Sequence, residues 1–149
     1  MKIVIVGSSA FSDKMVQYKA KLKSLGHDAI VHPDYEEIVA GKNPKLLERM
    51  QKEHGKVKKQ YDYIKWYFHA IKKSDAILVL NFNKKNIKNY IGANTFLQIG
   101  DAFELGKKIY LVNDLPDQDY IRDELEAIEF TVLNGDLSKI SKARKVKKR

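Results

Sequence analysis

Apolar residues fall along this chain in two kinds of run, short unbroken ones and longer ones at helical spacing, and the two kinds alternate. Lys2 to Val6 is a β-branched run ending at Gly7, and Ala29 to His32 is a second short run after Gly26. Between them Met15, Tyr18, Leu22 and Leu25 recur at helical spacing. That spacing predicts a helix over about residues 12–25, closed by Gly26. Asp75 to Asn81 and Lys108 to Asn113 are further strands, each with the unbroken apolar core of a parallel sheet buried on both faces. Phe130 to Leu133 makes a fifth strand. Helices at about 94–105 and 118–128 fill the intervals, so the alternation predicts an open α/β sandwich.

The interval from Gly41 to Ser74 reads as two helical pieces. Leu46, Leu47 and Met50 give the first an apolar side. In the second, Val57, Tyr61, Ile64, Phe68 and Ile71 step by four, three, four and three, which places them on one helix face. Tyr63, Trp66 and Tyr67 lie off that stripe. Their rings are left for a pocket, a partner subunit or a second buried side, and the surplus predicts a homo-oligomer.

Composition narrows the function. The chain has 149 residues, no cysteine and a formal charge of +9. Without cysteine there is no disulfide, thiolate-metal or cysteine-nucleophile chemistry, and a cytoplasmic location is expected. His27, His32, His54 and His69 lack metal-ligand spacing, so no metal is expected. The amino-terminal run is too short for a signal-peptide core, and no apolar run approaches a membrane span. Residues 139–149 hold seven Lys or Arg and no acid, leaving 21 basic and 19 acidic groups elsewhere. The body is therefore near neutral and the basicity is mostly a tail. Such a tail is either a solvated terminus or a weak, salt-sensitive contact for nucleic acid.

In open α/β sheets ligands bind beyond the carboxyl ends of the strands. Three loops are predicted to meet there. The first, Gly7-Ser8-Ser9-Ala10-Phe11-Ser12, combines close backbone approach with hydroxyls ahead of a helix amino terminus, although serine there is also an ordinary cap. The second begins at Asn81, whose amide can donate and accept or simply form a turn, and it continues through lysines of which one can meet a phosphate. The third contains Gly92, Asn94 and Thr95, with Asn94 or Thr95 as a helix cap. Gln98 then falls in the first turn, directed at the same crevice, while Phe96, Ile99, Ala102 and Phe103 form the sheet-facing side.

The segment Asn89 to Val112, with Gly100, Ala102, Gly106 and Lys107, resembles the signature of the nucleoside 2-deoxyribosyltransferase family. That family and its nucleotide N-glycosidase relatives show Asp-x-Gly, three residues, Glu-x-Gly and then Gly-Lys. Here Gly92 stands at the Asp, Asn94 at the Gly, and Gln98 at the Glu that attacks the anomeric carbon. Leu133-Asn134-Gly135-Asp136-Leu137 resembles a branch of small prokaryotic relatives. The resemblance implies a flavodoxin-like or Rossmann-like three-layer sandwich over residues 1–137, with a five-stranded, mainly parallel sheet in the order 2-1-3-4-5 and a basic tail at 138–149. It implies a nucleoside or nucleotide ligand contacted by Gly7, Ser8, Ser9, Phe11, Asn81, Gly92, Asn94 and Thr95, no cofactor, and a site commonly built with a neighbouring chain. A carboxamide is a far weaker nucleophile than a carboxylate. The chain therefore reads either as an N-glycosidic-bond transferase or hydrolase, active or disabled by Gln98 at the nucleophile position, or as a nucleotide-sensing or nucleic-acid-associated binding module without catalysis. A flavin carrier fits less well, because the first loop holds a single glycine.

Overall fold

The computed structural model describes residues 1–52 and 62–140. Five strands form one sheet in the order β2-β1-β3-β4-β5, and every neighbouring pair is parallel. They are β1 (Lys2–Gly7), β2 (Asp28–Ile30), β3 (Ala76–Leu80), β4 (Lys108–Leu111) and β5 (Thr131–Val132). The order and direction are those expected from the sequence. Ile3 to Val6 and Ala76 to Leu80 are buried throughout, so the sheet needs cover on both faces. It tapers outward to edge strands of three and two residues.

Among the described residues the helices are α1 (Ser12–Ser24), α2 (Pro33–Val39), α3 (Pro44–Lys52), α4 (Tyr63–Lys72), α5 (Ala93–Glu104) and α6 (Asp119–Ala127). The chain steps one way from β1 to β2 and the other way from β2 to β3. Right-handed crossovers therefore put α1 on one face and α4 and α5 on the other, which makes three layers. Met15, Tyr18 and Leu22 are the buried side of α1, and Gly26, at φ +88°, turns the chain out of it. None of the described helices is long and apolar enough to cross a membrane.

Two elements differ from expectation. The helix α2 was not announced by apolar spacing. It is short, begins at Pro33, and is capped by His32, whose Nδ1 accepts from the Asp34 amide at 3.1 Å. In α4 the buried side is Tyr63, Tyr67 and Ile71, whereas Ile64 is 38% exposed and Phe68 half-buried. Two apolar stripes compete on that helix. The aromatic stripe is the one packed, because its rings gather around His32, with centroids 4.4 Å away for Tyr63 and 4.5 Å for Trp66. The Tyr63 hydroxyl donates to Asp34, so the ring is buried with its polar end satisfied. Of the roles open to Tyr63, Trp66 and Tyr67, a second buried side is the one the packing shows for Tyr63 and Tyr67. Val57, Tyr61 and the Met50 side chain lie outside the described residues.

The fold continues beyond residue 137. Leu137–Lys139 forms a 3-10 turn capped by Asp136, and Ile140 is buried. Residues 141–149, most of the expected tail, lie outside the described residues.

Candidate functional site

Each wall of the crevice at the carboxyl ends of the strands has a local cause. A Cβ at Gly7 would lie 3.1 Å from the Leu80 carbonyl oxygen, so glycine lets the tips of β1 and β3 close together. Beyond it the Ser8 Oγ accepts from the Ala10 amide at 3.3 Å and caps the 3-10 turn Ser9–Phe11. Phe11 turns inward and meets Phe82 edge-on, with centroids 5.5 Å apart. It supports the loop from below.

After β3 the chain passes through Asn81, which is fully buried. Its Nδ2 donates to the carbonyl oxygens of Asn113 and Asp114, both at 2.9 Å, and its Oδ1 accepts from the Asn113 amide at 2.9 Å. The Asn113 Nδ2 returns a bond to the Asn81 carbonyl at 3.0 Å. The amide offered by the sequence as a ligand contact is spent on clamping the ends of β3 and β4. Support, not contact, is what this geometry provides.

The loop from Phe82 to Tyr90 then folds on itself. Lys84 and Ile87 exchange two backbone bonds, at 3.1 and 2.9 Å, around Lys85 (φ 53°) and Asn86 (φ 59°). Two central residues of positive φ make a type I′ turn. Asparagine enters this region readily, whereas lysine does so at a cost of roughly 1–2 kcal/mol. The turn brings the Lys84 ammonium back into the crevice, where it donates to Ser8 Oγ at 2.6 Å. The ammonium groups of Lys84 and Lys85 lie 5.4 and 5.7 Å from the centroid of Tyr90. Partial burial, and then the charge of Lys85, lower the Lys84 pKa.

The third wall is the start of α5. The Gln118 side chain holds the chain just ahead of it, accepting from the Ile91 amide at 2.8 Å and donating to the Ile91 carbonyl at 2.9 Å. Gly92 is the N-cap and supplies no side-chain bond, so Asn94 and Thr95, expected as caps, lie inside the first turn. The leading N–H groups of that turn have no partner within the helix and form its positive end.

These walls enclose about 210 Å³. Gly7, Ser8, Ser9, Gly92, Asn94 and Thr95 meet there, as expected. Lys84, Lys85, Tyr90 and Tyr35 also line it, and among the described residues no Asp or Glu does. Tyr35 had no sequence signal; it arrives on α2, and burial followed by the nearby Asp34 pushes its pKa up to about 12. An apolar cavity of about 450 Å³ adjoins, lined in part by Ile64, Phe96, Leu97 and Tyr120 and sharing Gly92, Ala93 and Asn94 with the crevice.

Gln98 is not on the wall. It is 2% exposed, and its Oε1 is buried without a hydrogen-bond partner. Its neighbours on the buried side of α5 are Thr95, Ile99 and Ala102. The helix is rotated from the expected setting, leaving Phe96 half-buried and Phe103 52% exposed. One turn on, burial and then Glu104 raise the Asp101 pKa.

No protein-family model matches the chain, and no curated protein matches it. Among solved structures it is similar to a CMP N-glycosidase of Clostridium botulinum, at 15% identity and a TM-score of 0.47 over 90% of this chain and 89% of that one. The fold is defined here by the strand order and register of the chain itself.

Proposed function

We propose that the crevice is a nucleotide site of the deoxyribosyltransferase type that holds its ligand without cleaving it. One observation carries both halves of this reading: among the described residues two lysines line the crevice and no carboxylate does. An ammonium on Lys84, hydroxyls on Ser8 and Ser9, and the positive end of α5 suit a phosphate. The sugar then faces Gly92 to Thr95, and the adjoining apolar cavity accepts the base. A retaining N-glycoside transfer needs a carboxylate nucleophile. The described wall offers none, and Gln98, at the position that resembles the family nucleophile, is a buried neutral amide.

Calorimetric titration with deoxynucleosides and their 5′-monophosphates tests this. The monophosphates should bind at least about tenfold more tightly at low salt, a difference of about 1.4 kcal/mol. Lys84→Ala should remove that preference. Chromatography of the same mixtures should show no released base. Equal binding of both ligand sets, or binding of neither, would refute the reading.

A further inference from the structure

The crevice is the middle one of three cavities that run into one another. It shares Gly92, Ala93 and Asn94 with the apolar cavity, and Ser9, Lys84 and Lys85 with a further cleft of about 570 Å³. That cleft opens between α1, α2 and α3, where Ser12, Asp13 and Gln51 stand opposite an apolar wall of Ile38, Val39 and Leu47. A phosphate in the crevice therefore has a way onward past the two lysines.

Those lysines are held together against their own preferences. Lys85 stands in the left-handed region at φ 53°, where a lysine is strained and a glycine is not. Beyond the effect of burial, its charge lowers the Lys84 pKa, so the two ammonium groups repel. Both nevertheless converge on the Tyr90 ring, 5.4 and 5.7 Å from its centroid. Among the described residues no carboxylate pairs with either. Strain and repulsion at one turn are offset by a ligand with negative charge on both sides of it. Past the turn the chemistry changes, because the Asp13 carboxylate repels a further phosphate and accepts hydrogen bonds from hydroxyls, as the Gln51 amide also does.

We infer that the site takes a nucleoside diphosphate joined to a sugar through its terminal phosphate. The first phosphate lies in the crevice, the second between Lys84 and Lys85, and the sugar hydroxyls face Asp13 and Gln51. The inference rests on the nucleotide reading of the crevice and extends the ligand by one phosphate and one sugar.

The full chain is titrated calorimetrically with thymidine, dTMP, dTDP and dTDP-glucose, and in parallel with adenosine, AMP, ADP and ADP-ribose, so that the test does not depend on the base. In a series that binds, the diphosphate should be held about tenfold more tightly than the monophosphate at low salt. The sugar conjugate should bind at least as tightly as the diphosphate, although it carries less charge. Lys85→Gly removes the ammonium and suits the turn. It should raise the urea midpoint and erase the gain from the second phosphate while leaving monophosphate binding nearly unchanged, a split that a lysine kept for stability would not give. Asp13→Ala should lower the conjugate relative to the diphosphate. A monophosphate preferred over its nucleoside, with no further gain from the diphosphate, would leave the crevice reading standing and overturn this one. So would a diphosphate gain that survives in Lys85→Gly, or a conjugate held tenfold more weakly than the diphosphate by the parent. Binding of neither series would overturn the crevice reading and this one with it.

Discussion

Placing a carboxylate at Gln98 with Gln98→Glu is the sharpest test of how the crevice is built. The replacement keeps the side-chain length, but the site is 2% exposed and the existing Oε1 already lacks a partner. Burial disfavours the ionised form, and fully buried carboxyls shift upward by as much as 3–5 units. Gln98 lies beyond the first turn of α5, so the helix dipole offsets little of this. A shift of about 2–3 units, at about 1.4 kcal/mol each, destabilises the variant by roughly 3–4 kcal/mol at pH 7 relative to acid. The sign follows from linkage. With the folded pKa above the unfolded value of about 4.3, the folded state holds more protons, so stability falls as pH rises through that window. Urea unfolding at pH 4 and pH 7 measures it: the variant should approach the parent at pH 4 and fall well below it at pH 7. Because the side chain is sealed beneath the crevice, chromatography should show no base release from any deoxynucleotide. Efficient base release, or a variant as stable as the parent at pH 7, would show that the side chain reaches the ligand and that the burial argument is wrong.

Two further outcomes follow from groups described above. Burial lowers the His32 pKa below the ordinary 6.5, with Asp34 opposing, and Tyr35, Tyr63, Trp66 and Tyr67 surround the ring. The unfolded chain then binds the proton first, so stability contributed by neutral His32 is lost as pH falls below about 6.5; the drop in urea midpoint between pH 7 and pH 5 should shrink in His32→Asn, which caps α2 without titrating. Asn81→Ala removes one acceptor and two donated bonds from a buried clamp and should cost about 2–4 kcal/mol by chemical denaturation, whereas a loss under 0.5 kcal/mol would mean that the tips of β3 and β4 need no clamp.

The sheet was legible because its central strands are unbroken apolar runs, a pattern set by burial on both faces and independent of the loops. The meeting of Gly7, Ser8 and Ser9 with Gly92, Asn94 and Thr95 was legible for a related reason: parallel strands deliver their following loops to one end. What escaped notice depends on particular torsions and rotations. The position of Lys84 is set by a type I′ turn at Lys85-Asn86, which lacks the Asn-Gly or Asp-Gly pair that announces such turns. Tyr35 reaches the crevice on a seven-residue helix too short to show a period. The burial of Gln98 follows from a modest rotation of α5, and hydrophobic spacing misjudged it by assigning Phe103 to the inside. In α4 two stripes competed, and the aromatic one is packed around His32 with the Tyr63 hydroxyl on Asp34, contacts across the chain that no spacing records.

The tapering of the sheet bears on how this chain avoids its neighbours. Ile3-Val4-Ile5-Val6 and Ala76-Ile77-Leu78-Val79-Leu80 are the uncharged, β-prone sequences that stack into fibrils when exposed. Both lie in the interior of the sheet, while the rims are the three residues of β2 and the two of β5. A rim that short gives an incoming strand too few backbone groups to hold. The weak point is β5. Detaching its two residues uncovers Lys108–Leu111 of β4, an apolar strand guarded at its start by Lys108. Fibril formation under mild destabilisation should therefore begin by loss of β5, and the two-residue strand serves the chain less as structure than as a lid on a template.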